Sequence, residues 1–157
     1  MAFTEPIVII TGGPGTGKTT VADFMGEIYA SMGILSNGDV IRVEKADLIG
    51  QRVGETESKT KAVLSRAKGN ILFIDEAYQL YQPHDPRDPG KFVIETLLTA
   101  LADEENRDWM LILAGYTDEM MAMFNITYNV DAIIQVTVPC GGDVQMAPDT
   151  TFRSCIE

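Results

Sequence analysis

Residues Gly12-Gly13-Pro14-Gly15-Thr16-Gly17-Lys18-Thr19 fit the phosphate-binding pattern G-x-x-x-x-G-K-[ST] at every fixed position. The glycines permit a tight turn whose successive backbone N–H groups face one concave nest. A helix starting there adds its positive dipole end, so the loop attracts anions. Lys18 is expected to reach the β- and γ-phosphates of a nucleoside triphosphate, and the Thr19 hydroxyl to ligate Mg²⁺. The candidate nucleotide-binding run is Gly13, Pro14, Gly15, Thr16, Gly17, Lys18, Thr19 and Thr20. A second cluster turns binding into a hydrolysis hypothesis. Asp75 and Glu76 follow the apolar run Ile71-Leu72-Phe73-Ile74, which has the character of a buried parallel strand. Asp75 at the end of that strand is expected to hold Mg²⁺ through its water shell, and Glu76 to polarise the attacking water. Many surface strands end in acids, so the pair gains its meaning from the phosphate loop upstream.

These side chains need elements to carry them. The β-branched run Ile7-Val8-Ile9-Ile10 leads into the glycine loop, and Val21, Ala22, Met25, Ile28, Tyr29 and Met32 lead out with helical spacing. A Gly-rich turn that binds nothing is the alternative, and this strand-loop-helix setting weighs against it. The turn signal Asn37-Gly38 precedes a short strand, Val40 to Val43. Ala46 to Gly54 reads as a connection. Glu55 to Lys68 reads as a helix burying Ala62, Val63, Leu64 and Ala67, closed by Gly69-Asn70. Tyr81 to Gly90 is a Pro-rich loop, and Phe92, Val93, Leu97, Leu98 and Leu101 mark the next helix. Trp109 to Ala114 is a further buried strand. Thr117 caps a helix with Met120, Met121 and Met123, which suit a plastic core. Asp131 to Val138 supplies a last strand by its β-branched content. The alternation predicts an α/β three-layer sandwich with a mostly parallel central sheet, its ligand at the carboxyl ends of the strands. The expected domain is 1–138, with 139–157 an irregular or disordered tail.

Composition narrows the options. At 157 residues with 45% hydrophobic content and mean hydropathy +0.03, the chain suits one globular domain. A formal net charge of −11 argues against a nucleic-acid or anionic-membrane surface. Cys140 and Cys155 show no C-x-x-C pairing, His84 sits in a Pro-rich loop, and Asp103-Glu104-Glu105 reads as a solvated helix end. With no signal-like start or membrane-length run, a cytoplasmic location is expected.

The order and spacing of the segments carry a family resemblance. From Ile10 to Leu80 and from Leu111 to Phe124, the chain resembles the large α/β subdomain of an AAA+ ATPase. It is most similar to the CbxX/CfqX group, which includes red-type Rubisco activases and stage V sporulation protein K-like proteins. The stretches DEAYQL (Asp75–Leu80), VGET (Val53–Thr56) and LAGYTDEM (Leu113–Met120) are more specific than the phosphate loop. The resemblance implies ATP as the nucleotide, a homo-oligomeric or partnered ring, and a protein client. It also implies that Tyr116 stands at the γ-phosphate-sensing position, where it either senses nucleotide state or packs. The chain departs from the group in two places. Arg52-Val53-Gly54 stands where an aromatic-aliphatic-Gly triplet grips a threaded chain, leaving Arg52 to contact an acidic client, a neighbour, or solvent. After Phe124 no arginine-finger or lid motif follows, and Arg153 is the only arginine there. The expected molecule is thus an ATPase core without its lid. Two other functions stay open: a nucleotide-binding interaction subunit with little turnover, and a small P-loop kinase, which would want a basic lid.

Overall fold

The structure, a computed structural model, describes residues 7–52, 54–82, 84–103, 108–127 and 134–137. Its strands are β1 (Ile7–Thr11), β2 (Val40–Val43), β3 (Ile71–Ile74), β4 (Met110–Gly115) and β5 (Ile134–Thr137). The helices are α1 (Lys18–Ser31), α2 (Lys45–Leu48), α3 (Glu55–Ala67), α4 (Pro89–Ala102) and α5 (Thr117–Thr127), with a 3₁₀ turn at Ala77–Leu80. All neighbouring strands pair parallel, in the order β2-β3-β4-β1-β5. This is the α/β architecture the alternation predicts.

Because β1, β3 and β4 are apolar throughout, their strand period is hidden in sequence, yet it sorts the core. Ile7, Ile9, Leu72, Ile74, Leu111 and Leu113 join one cluster with residues of α2 to α5. Val8, Ile10, Ile71, Phe73, Met110 and Ile112 join another, with Ala22 and Met25 of α1. Among the described residues α1 is the one helix on that second face, joined by Leu35 from the segment after it. Its outer side is unexpectedly apolar: Phe24, Ile28 and Met32 are 60%, 53% and 59% exposed. The helical spacing that places Ile28 and Met32 with the core is therefore corrected, because a stripe that wide outruns the contact α1 makes with the sheet.

Other differences have local causes. The connection expected over Ala46 to Gly54 overlaps α2 (Lys45–Leu48), whose start is stabilised by Asp47, which accepts from the Glu44 N–H at 2.8 Å. The cap position carries Glu rather than Ser or Thr, so the usual signature is missing. In α3 the buried residues are Thr60, Val63 and Ala67, whereas Ala62 is exposed and Leu64 half-buried. Tyr116, not Thr117, precedes the first turn of α5, since the Met120 N–H donates to its carbonyl at 3.0 Å. Helix α4 begins at Pro89, with the Asp88 carboxylate accepting from the Gly90 N–H at 2.8 Å; Phe92 faces outward, 44% exposed. The last strand is Ile134–Thr137, and Cys140, Cys155 and Glu104-Glu105 lie outside the described residues.

One close backbone approach fixes the layout beside the 3₁₀ turn. A Cβ on Gly90 would overlap the Leu80 carbonyl, so α4 can sit against the 3₁₀ turn only with glycine there. Gly90→Ala is expected to destabilise by about 1–3 kcal/mol, as overpacking does, read from the urea midpoint at unchanged slope. At the opposite end of the sheet, Asn70 is 9% exposed and fully engaged. Its Oδ1 accepts from Asn37 Nδ2 (2.7 Å) and the Asp39 N–H (3.0 Å), and its Nδ2 donates to the Arg66 and Lys68 carbonyls. The Met110 N–H donates to the Asn70 carbonyl at 3.2 Å. Ser36 donates to the Asp108 carboxylate through its N–H (3.0 Å) and its hydroxyl (2.6 Å). These bonds join the starts of β2, β3 and β4.

Candidate nucleotide site

The loops after β1, β3 and β4 meet at the carboxyl edge of the sheet. Gly15 (φ 71°) and Gly17 (φ 86°) take the left-handed backbone that glycine tolerates best, which turns the chain from β1 into α1. The loop is braced from inside: the Thr16 hydroxyl donates to the Gly13 carbonyl at 2.8 Å. It is braced from the sheet as well, since the Gly12 N–H donates to the Gly115 carbonyl at 3.3 Å. Lys18 Nζ donates to the Gly13 and Gly12 carbonyls at 2.9 and 3.2 Å. The same ammonium stands 5.6 Å from the centroid of the Tyr116 ring, a cation–π distance.

A cleft of about 470 Å³ is lined by Pro14, Gly15, Thr16, Gly17, Lys18, Thr19, Thr20, Asp75, Glu76, Gly115 and Tyr116. Every residue expected to bind nucleotide or metal or to polarise water lines it, save Gly13, whose carbonyl accepts from Thr16 and Lys18. Two other clefts are larger, about 500 Å³ between the starts of α3 and α4 and about 710 Å³ beside the 44–52 segment. Size does not choose among the three. Only at the phosphate loop do a glycine nest, a lysine, hydroxyls and both carboxylates converge.

The donor set suits Mg²⁺. Thr19 and Asp75 offer a hydroxyl and a carboxylate to one cleft, and no group of three or more His, Cys, Asp or Glu among the described residues could hold a metal alone. An ion that keeps waters and takes further oxygens from phosphates fits such a sparse set. The Glu76 N–H donates to Asp75 Oδ1 at 3.0 Å, which orients that carboxylate.

Sequence reasoning missed Tyr78. Its ring stacks on Tyr116 at 6.0 Å with 28° between planes. Burial first, then the charges of Glu76, Tyr116, Glu119 and Asp75, hold its phenol above the ordinary value. No spacing rule predicts this pair, because Tyr78 and Tyr116 follow different strands that only the β3–β4 pairing brings together. Arg52 is not in the phosphate cleft. It is exposed at the rim of the 710 Å³ cleft. Its backbone N–H and that of Gln51 donate to Glu55 Oε2 at 3.0 and 2.9 Å. Those two bonds, with Lys59 adding less, hold the Glu55 carboxyl below its usual range. His84 is exposed in its loop, apart from the cleft.

Comparison with known families decides the class. The model of the ATPase family associated with various cellular activities (AAA) matches residues 8–137. The chain belongs to this AAA family. The AAA chain is also 51% identical over 110 residues to Protein CfxQ homolog from Galdieria sulphuraria, covering 70% of the chain and 36% of that protein. It is 50% identical over 115 residues to the chromosomal Protein CbxX of Cupriavidus necator, covering 73% and 36%. A chloroplastic ribulose bisphosphate carboxylase/oxygenase activase of Cyanidioschyzon merolae is 49% identical over 147 residues, 94% of the chain and 45% of that protein. These names agree with the CbxX/CfqX likeness carried by the motifs. The AAA chain spans less than half the length of these curated relatives. The activase match also runs beyond Phe124, where the motifs of the group stop. No helix among the described residues is long and apolar enough to cross a membrane.

Proposed function

We propose that this AAA chain binds ATP with Mg²⁺ and hydrolyses it, working in an oligomeric ring to remodel a protein client. What carries this reading is that Lys18, Thr19, Asp75 and Glu76 all line one cleft at the ends of β1 and β3. The loop N–H groups and Lys18 receive the phosphates, and Thr19 and Asp75 hold the metal side. Bound Mg²⁺ would offset charge on the β- and γ-phosphate oxygens. Glu76 accepts the proton of the attacking water as its oxygen bonds to the γ-phosphorus. The bond from that phosphorus to the bridging oxygen breaks, and ADP leaves with the electron pair. Tyr116, at the end of β4 and facing Lys18, is the proposed sensor of phosphate occupancy. The activase relative makes ribulose bisphosphate carboxylase/oxygenase the first client to try.

The test is phosphate release from Mg·ATP over a wide range of protein concentration. Turnover that rises more than linearly with concentration supports a self-assembling ATPase. ATP bound without release, at any concentration or with client added, overturns the hydrolytic reading in favour of a nucleotide-binding subunit.

A further inference from the structure

Glu76 is the only non-glycine residue with positive φ among those described, at φ 49° and ψ 47°. For a side chain with a Cβ this is an uncommon conformation, and it survives only where neighbours hold it. Here one residue does so twice. The Gln79 N–H donates to the Glu76 carbonyl at 3.0 Å, and Gln79 Nε2 donates to Glu76 Oε2 at 2.7 Å. The acceptor is a carboxylate, so the amide must present its NH₂ group to it. The contact ties up Oε2, and no hydrogen bond among the described residues reaches Oε1.

We propose that Gln79 is a positioning residue for hydrolysis: its amide holds one oxygen of Glu76 so that the other is left facing the water. This rests on the reading of Glu76 as the group that polarises water. A free glutamate on an exposed turn samples several rotamers, and only those near the γ-phosphate contribute to the rate. The bond to Gln79 removes most of that search beforehand. The turn itself does not depend on the amide, because Ala77 and Leu80 anchor it by burial while Gln79 is exposed. Gln79 also lines the neighbouring 710 Å³ cleft with Arg52 and Lys59. The bond therefore stands on the wall between the two clefts.

The experiment is single-turnover hydrolysis of radiolabelled Mg·ATP, with the full chain in excess and varied in concentration. It separates the maximal rate from the half-saturating concentration. Gln79→Met keeps the length but removes the donor. It should lower the maximal rate about tenfold, with half-saturation moved less than about twofold. Gln79→Lys keeps a donor at that position and should retain most of the rate. Gln79→Glu sets a second carboxylate beside the first and should fall at least as far as Gln79→Met. Wild-type rates in Gln79→Met, or a loss that lies wholly in half-saturation, overturn the proposal. Equal loss in the Met and Lys variants overturns it too, since the donor would then be irrelevant. Glu76→Gln, run beside them, tests the underlying reading. If it matches wild type at any rate, including none, that reading fails first and the positioning role fails with it.

Discussion

Lys18→Ala is expected to raise the dissociation constant for Mg·ATP by about a hundredfold or more. Among the described residues the lysine is the only basic side chain lining the phosphate cleft, and hydrogen bonds to charged groups are the stronger kind. Its ammonium is held ready beside the loop, on the Gly12 and Gly13 carbonyls and the Tyr116 ring. Reaching the phosphates exchanges these contacts for stronger ones. Removal should cost the fold little, because the side chain is only half-buried and the loop keeps the Thr16 and Gly12 bonds. Calorimetric titration gives the affinity, and thermal melts with and without nucleotide give an independent check. Wild type at a hundred times its dissociation constant gains about 2.7 kcal/mol from the ligand, and the variant should gain almost none. Equal binding by both would refute the phosphate-loop assignment.

Glu76→Gln is the second large effect, and it should fall on chemistry alone. The substitution keeps shape and length, leaves an oxygen for Gln79 to donate to, and asks no more of the left-handed backbone than glutamate does. Nucleotide affinity should therefore stay within about twofold, while the hydrolysis rate drops by about 10²- to 10⁴-fold, the range for a lost general base. A variant that hydrolyses at the wild-type rate would remove Glu76 from the mechanism and shift attention to Asp75. Weakened binding without a slower chemical step would instead mark Glu76 as a metal or phosphate contact.

Much of this site is legible in the chain because its chemistry is local. The glycine loop, Lys18 and Thr19 lie within eight consecutive residues, and Asp75-Glu76 closes an unbroken apolar run. What escapes such reading depends on which strands become neighbours. The Tyr78–Tyr116 stack exists only because β3 pairs with β4, and the bond from Gly12 to Gly115 because β4 also pairs with β1. The grip of Gln79 on Glu76 is close in sequence but needs a left-handed glutamate, which propensity disfavours. Helix α2 was hidden for a different reason, its Glu44 start being a rare cap. The exposed side of α1 shows the limit of periodicity: it reveals that a helix is apolar on a wide arc, not how much of the arc a sheet will cover.

The polar bonds around Asn70 and Asp108 have a consequence for motion. They seal the amino-terminal ends of β2, β3 and β4, far along the strands from the phosphate loop. Amide protons near Ile71 and Met110 should be the last of the described residues to exchange with solvent. The asparagine knot should thus mark the last part of the described sheet to let go when the protein unfolds.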